Sequence, residues 1–496
     1  MGEHHHAIDV AGAIAIALGG ACSTSDSTPA PPAPAADAGP NLDDWDRAVV
    51  RPDDTAANAS RSACKFARGA LPGETLGATT PVDKDIPIET VVILMQENRS
   101  FDTHLGHLYK YVGRTDIESA RDDTTNPEKL GMPNSPTYKY QHAPHLCVLD
   151  TNHEWPGTHT EYDDGKMDGF FQANDGWAAP APPQAPSSVL SGERALWWLD
   201  ERDIAFYYDL AATFAIGDHH FSSILGPTWP NRMYLYAATS FGVVDANFPD
   251  MSGYPYPKKD ATIFDMLEKR GVSWSIYGDG LPGATVAVGP LINSRWGRNP
   301  LKRIVDLYDD AAAGKLPQVV FVDPVLGHMR PGQDDEHPPA DVQVGQKFVS
   351  DVVHAMFKSP QWSKLAMFIT YDEHGGFYDH VAPPSACAPD RIAPILPSGD
   401  TTVGGFDRYG IRVPLIVVSP FAKKKFVSHV TRDHTSITRF LEAKFRLPAL
   451  TARDANADAM LEYFDFDAPP FATAPTIVVP TINLTELDYC TKTFTP

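Results

Sequence analysis

Apolar residues recur along this chain in short blocks, each followed by turn residues or by a change of period. Ile86 to Met95 (IPIETVVILM) is rich in β-branched residues and reads as a strand. Val272 to Tyr277, Pro317 to Val322, Leu365 to Ile369 and Val413 to Val418 read the same way. Between them the spacing turns helical. Asp203 to Phe214 and Met233 to Ala238 are read as helices, the second with Pro230 in its first turn. Thr262 to Arg270 sets Ile263, Met266 and Leu267 on one face and stops at Gly271. Val344, Phe348, Val352 and Met356 recur every four residues, and Ile437, Phe440, Leu441 and Phe445 share a face of Thr435 to Phe445. Strands alternating with helices predict an α/β sheet covered on both faces.

Polar groups stand where two of these strands end. Leu365 to Ile369 runs into Thr370-Tyr371-Asp372-Glu373-His374-Gly375-Gly376-Phe377-Tyr378-Asp379-His380. Ile86 to Met95 runs into Gln96-Glu97-Asn98-Arg99-Ser100-Phe101-Asp102. An open α/β sheet places its ligands at such ends. If the two strands are neighbours, Glu97-Asn98 and Asp372-Glu373 converge, and three carboxylates with one amide oxygen suit a hard cation or a transition metal. A Gly-Gly turn with solvated charges is the other reading. Thr228 precedes a helix, where free N–H groups favour an anion, and a hydroxyl beside a metal can attack phosphorus. It is equally readable as an ordinary N-cap. His153, His337 and His380 lie in polar loops near carboxylates and can donate to phosphate oxygens or protonate a leaving group. Asp433-His434 reads as a capping and hydrogen-bonding pair.

Composition narrows the class. Of 496 residues 43% are hydrophobic, enough for one large domain or two ordinary ones. The formal charge of −22 argues against general nucleic-acid binding, which needs a basic footprint. Forty-five prolines and 36 glycines imply many ordered loops, and residues 103–200 read as a long active-site wall. Ala11 to Leu18 is a short apolar run before Leu18-Gly19-Gly20-Ala21-Cys22, which is similar to a bacterial lipobox. Residues 1–22 are expected to direct export, with a lipid on Cys22 as a possible membrane tether. Ser23 to Pro40 is Pro/Ala/Ser-rich, so residues 23–45 read as a linker and 46–496 as one catalytic domain. Cys64, Cys147, Cys387 and Cys490 permit two disulfides in any of three pairings, or four thiols. His4-His5-His6 is read as incidental.

Several long motifs together resemble the bacterial phosphoesterase family of non-zinc phospholipases C and acid phosphatase A. They are Gln96-Glu-Asn-Arg-Ser-Phe-Asp102, Met167-Asp-Gly-Phe170, Gly226-Pro-Thr-Trp-Pro-Asn-Arg232, Glu336-His-Pro-Pro339, Tyr371-Asp-Glu-His-Gly-Gly-Phe-Tyr-Asp-His-Val381, Arg412-Val-Pro-Leu-Ile-Val-Val-Ser-Pro420 and Asp433-His-Thr-Ser436. They come in the family's order over residues 86–465. The resemblance implies an alkaline-phosphatase-like three-layer α/β/α sandwich with long active-site insertions and one divalent metal ion. It implies Glu97, Asn98, Asp372 and Glu373 as metal ligands, Thr228 as nucleophile, and His153 and His337 on the phosphoryl group. Asn98 and, more weakly, His380 carry over as substrate contacts. Thr103-His104-Leu105-Gly106 departs from the family's His-Tyr-Phe-Gly, and the chain ends soon after the catalytic region, as in the compact members. The expected activity is phospholipase C-like hydrolysis of phospholipid phosphodiesters. The alternatives are an acid phosphatase acting on soluble monoesters and an inactive surface lipoprotein. Trp155, Trp177, Trp197, Trp198 and Trp229 are candidates for a lipid-facing rim, or for core.

Overall fold

The computed structural model describes residues 42–177, 190–246, 260–280, 283–284, 287–288, 301–327 and 330–494. The export segment, Cys22, residues 23–41 of the linker and His4 to His6 lie outside the described residues.

The strand rich in β-branched residues after residue 86 lies in the middle of a sheet. Its first part is not strand, because Pro87 has no N–H to give a ladder. The strand proper is β1, Thr90–Gln96, and all seven residues are buried. The other strands of this sheet are β2 Ala215–Gly217, β3 Trp274–Tyr277, β4 Leu301–Lys302, β5 Val319–Val322, β6 Leu365–Tyr371, β7 Leu415–Val418 and β8 Val427–Ser428. Their order is β8-β2-β7-β6-β1-β5-β3-β4. β7 runs antiparallel to both neighbours, and the remaining pairings are parallel.

Alternation along β1 divides the core. Val91, Ile93 and Met95 join one apolar cluster with α4 (Thr228–Ala237), α5 (Ile263–Arg270) and α8 (His434–Phe445). Val92 and Leu94 join a second with α1 (Phe101–Leu105), α3 (Ala205–Thr213), α6 (Ile304–Ala313) and α7 (Val342–Lys358). Helices therefore cover both faces, which makes the three layers expected of a sheet buried on both sides. On α7 the inward face is Val349, Val352, Val353 and Met356, whereas Val344 and Phe348 are half-buried.

One helix differs from expectation in a way that matters. α4 begins at Thr228, five residues before Met233, with Pro227 in extended conformation as its cap. Pro230 is the third helical residue, where its missing N–H removes no intrahelical bond. The insertion between β1 and β2 carries α2 (Trp155–Tyr162) and several short pieces. Two disulfides form, Cys64–Cys387 and Cys147–Cys490. The second pins the C-terminal helix α9 (Leu484–Phe494) to the loop that leads to His153.

Candidate active site

β1 and β6 pair in parallel from Thr90 opposite Leu365 to Gln96 opposite Tyr371. They end together, so the next residues, Glu97-Asn98 and Asp372-Glu373, lie side by side. Both chains then turn sharply. Asn98 has φ of 62°, and Gly375 and Gly376 have φ of 69° and 73°. A Cβ on Gly375 would lie 2.5 Å from the Asn98 carbonyl oxygen, so only glycine fits that crossing.

The carboxylates are held one oxygen at a time. Asp372 Oδ1 accepts from Asn98 N at 3.2 Å and Glu373 N at 2.7 Å, while Oδ2 accepts from Arg232 Nε at 3.1 Å. Arg232 Nη2 is 3.7 Å from Glu97 Oε1. Glu373 Oε2 accepts from Gly375 N at 2.6 Å, but Oε1 has no partner. Asn98 Oδ1 has none either. All of these side chains are buried. Two orphaned buried oxygens amid three carboxylates and one arginine are what a bound cation would satisfy, and the all-oxygen donor set suits a hard divalent ion.

Thr228 lies on the helix that carries Arg232. It is the first residue of α4, buried, with Pro227 rather than Thr228 in the cap position. Arg232, one turn on, contacts Asp372 and Glu97, so the same face of α4 points to the carboxylates. Asn231 fixes the approach: its Oδ1 accepts from Ser223 N at 2.8 Å and Ile224 N at 3.0 Å, and its Nδ2 donates to Gly226 O at 2.8 Å. His434 Nε2 donates to Tyr371 O at 2.9 Å and its Nδ1 lies 3.2 Å from Ser223 Oγ, tying the strand end to the same loop. Asp433 caps α8, as its sequence context indicates.

Known proteins identify the family. The Phosphoesterase family model matches residues 88–448. The chain belongs to the Phosphoesterase family. Non-specific phospholipase C1 of Arabidopsis thaliana is 33% identical over 416 residues, covering 78% of this chain and 73% of that one. Phospholipase C B of Mycobacterium tuberculosis is 32% identical over 459 residues, covering 81% and 82%. A solved alkaline phosphatase superfamily protein from Vibrio parahaemolyticus aligns with 81% of this chain and 76% of its own at 11% identity and a TM-score of 0.36. This phosphoesterase is a phosphoric ester hydrolase.

Its two candidate phosphoryl histidines are pushed in opposite directions. His153 Nδ1 donates to Thr151 O at 2.7 Å, and the Asn98 amide is 3.4 Å from the ring. Burial favours the neutral ring, but Glu373, Asp150 and Glu154 outweigh it and raise the pKa to about 10. Burial instead lowers His337, which keeps Nδ1–H on Pro338 O at 2.6 Å and leaves Nε2 to exchange a proton. The rings lie 5.5 Å apart. Asp150, His153 and His337 are close enough to hold an ion themselves. Burial, opposed by Arg232, pushes Glu97 well above the usual carboxylate range and Asp372 up to about 6.

The phosphoesterase does not bring His380 to this cluster. Its Nδ1 donates to Asp102 Oδ2 at 2.6 Å and its Nε2 to Glu118 Oε1 at 2.9 Å, beside Asp102, Asp379 and Arg412. Its role there is a tie between loops. Trp155 is core, 1% exposed. Trp197 and Trp198 are half-buried and pack against core clusters. Trp177 lies edge-on to His153 at 6.5 Å, and half-buried Trp229 follows Thr228. Sequence reasoning missed Arg232 and Asp335, which faces Glu97. The four-residue step from Thr228 would have found Arg232 once α4 was begun at Thr228.

Proposed function

We propose that this chain is a metal-dependent phosphodiesterase of phospholipase C type, with Thr228 as nucleophile. The carrying observation is the common end of β1 and β6, which sets Glu97-Asn98 beside Asp372-Glu373 with two unpartnered oxygens, while Arg232 of α4 contacts Asp372 and Glu97. Those four residues would hold one divalent cation, which when bound would acidify a hydroxyl and neutralise phosphoryl oxygens. Thr228 Oγ1 forms the bond to phosphorus as the bond to the leaving alcohol breaks. That alcohol takes up a proton. His153 donates to the nonbridging oxygens, and His337 Nε2 exchanges the proton. Water then cleaves the phosphothreonine, returning the proton to Thr228 and releasing the phosphorylated headgroup.

The names of the relatives support a phospholipid diester substrate, and Trp177 and Trp229 supply apolar surface beside the site. Export with a lipid on Cys22 is part of the same reading, supported by two disulfides, which persist in oxidising compartments. The test pairs phosphatidylcholine vesicles with a soluble aryl phosphate monoester. Thr228→Ala is expected to lower kcat on the diester by about 10³-fold or more while metal content and thermal unfolding stay unchanged. Near-normal turnover would refute the nucleophile. Turnover of the monoester alone would make the chain an acid phosphatase.

A further inference from the structure

Glu373 presents a single free oxygen to the proposed cation, and the cause lies behind it. Its Oε2 is occupied by Gly375 N at 2.6 Å and faces His374 Nδ1 at 3.3 Å. The far side of that ring meets Glu161, with Nε2 to Oε2 at 2.7 Å. Glu161 is held in turn: Asn174 Nδ2 donates to its Oε1 at 2.9 Å and to Phe170 O at 2.9 Å, while Asn174 Oδ1 accepts from Asn152 N at 2.7 Å. Glu161, His374 and Asn174 are 0%, 1% and 0% exposed. The run Asn174–Glu161–His374–Glu373 is therefore a continuous buried line from the insertion to the strand end. A buried carboxylate–imidazole pair costs desolvation that a pair of apolar residues would not, so stability is a poor reason for it.

We propose that Glu161 and His374 are positioning residues that lock Glu373 into one-oxygen donation to the cation. The lock works because a carboxylate free to rotate can chelate through both oxygens or swing away. With Oε2 tied to a backbone N–H and to a ring braced by Glu161, only Oε1 is left. The brace also couples two parts of the site. Glu161 lies on α2, which begins two residues after His153, so the helix that orients the phosphoryl histidine also orients a ligand. This inference rests on Glu373 being a ligand.

The test uses the full chain stripped of metal and titrated with Mn²⁺, with free ion followed by its EPR signal. Glu161→Gln and His374→Gln are expected to weaken Mn²⁺ binding by about 10- to 100-fold, the range seen when supporting partners of ligands are removed. The rise in Tm on adding Mn²⁺ should shrink in step, while the Tm of the metal-free protein changes less. Glu373→Gln separates the layers. If it binds Mn²⁺ like the wild type, the ligand reading fails. If it loses Mn²⁺ while Glu161→Gln and His374→Gln bind normally and only unfold earlier, the pair is merely structural and the positioning proposal is overturned. Should Glu161→Gln not fold, Asn174→Ala frees Glu161 without touching the pair, and unchanged Mn²⁺ affinity there overturns the proposal equally.

Discussion

Gly375 shows how tightly single residues fix this site. Its φ of 69° is left-handed, and its missing Cβ is replaced by the Asn98 carbonyl. Gly375→Ala is expected to cost about 1–3 kcal/mol for the backbone conformation alone. It should also push Asn98 away from Asp372, lowering metal content. Thermal unfolding and elemental analysis read the two effects separately, and a variant matching the wild type in both would mean the turn can yield. The four proposed ligands were legible in the chain because polar residues at the end of an apolar strand have few structural uses. Arg232, Asp335 and Glu161 were not. Each acts through a partner far away in sequence, which local patterning alone does not show. His380 was legible as a polar loop histidine, but its partners Asp102 and Glu118 are set by tertiary contacts.

Among elements, the five longer strands could be read to within a few residues, since a buried strand is a run of apolar residues whatever lies next to it, whereas β2, β4 and β8, of two or three residues, are too short to leave such a run. Strand direction could not. Nothing in Leu415–Val418 marks β7 as antiparallel, because both faces of the sheet are buried around it. Nor could the disulfide pairing. Cys147–Cys490 makes a specific prediction possible. α9 buries Cys490 and Phe494, and it also meets the loop before His153 through His145, which stacks on Tyr489 at 3.7 Å and reaches Glu486 at 3.2 Å. That loop continues to Asp150 and His153. Replacing Cys147 and Cys490 with Ser is expected to cost about 2–4 kcal/mol in stability and to raise KM more than it lowers kcat. Replacing Cys64 and Cys387 should cost stability with little change in KM. Equal kinetic effects from both pairs would detach α9 from the site.

Across the whole molecule, charge is distributed against the surface trend. The chain carries a net −22, yet Arg194, Arg232, Arg412, Arg432, Arg439 and Arg453 are all buried. Long proline-rich loops have more carbonyls than N–H groups, and a guanidinium with five donors redresses the balance. Arg194 donates to the carbonyls of Asp150, Asn174, Ser191 and Trp177, and Arg453 to those of Cys387 and Phe406. Arg412 joins Asp102 and Asp379 to the carbonyls of Glu118 and Asp218, with His380 closing the group. Here the pH dependence has a definite sign. Burial opposes charge on His380, 24% exposed, but Asp102 overrides it and raises the pKa to about 9 from 6.5. A raised histidine pKa stabilises the fold fully below 6.5, and that stabilisation is lost as pH rises through 9. Asp102, held down by His380 and Arg412 against its burial, acts at the other end: its share is lost as pH falls through its lowered pKa. His380→Asn should therefore destabilise the protein by up to about 3 kcal/mol near pH 6 and far less near pH 10. Chemical denaturation of both proteins at the two pH values measures the difference. A gap that stays constant would mean that His380 holds the loops together by packing and neutral hydrogen bonds, with no contribution from its charge.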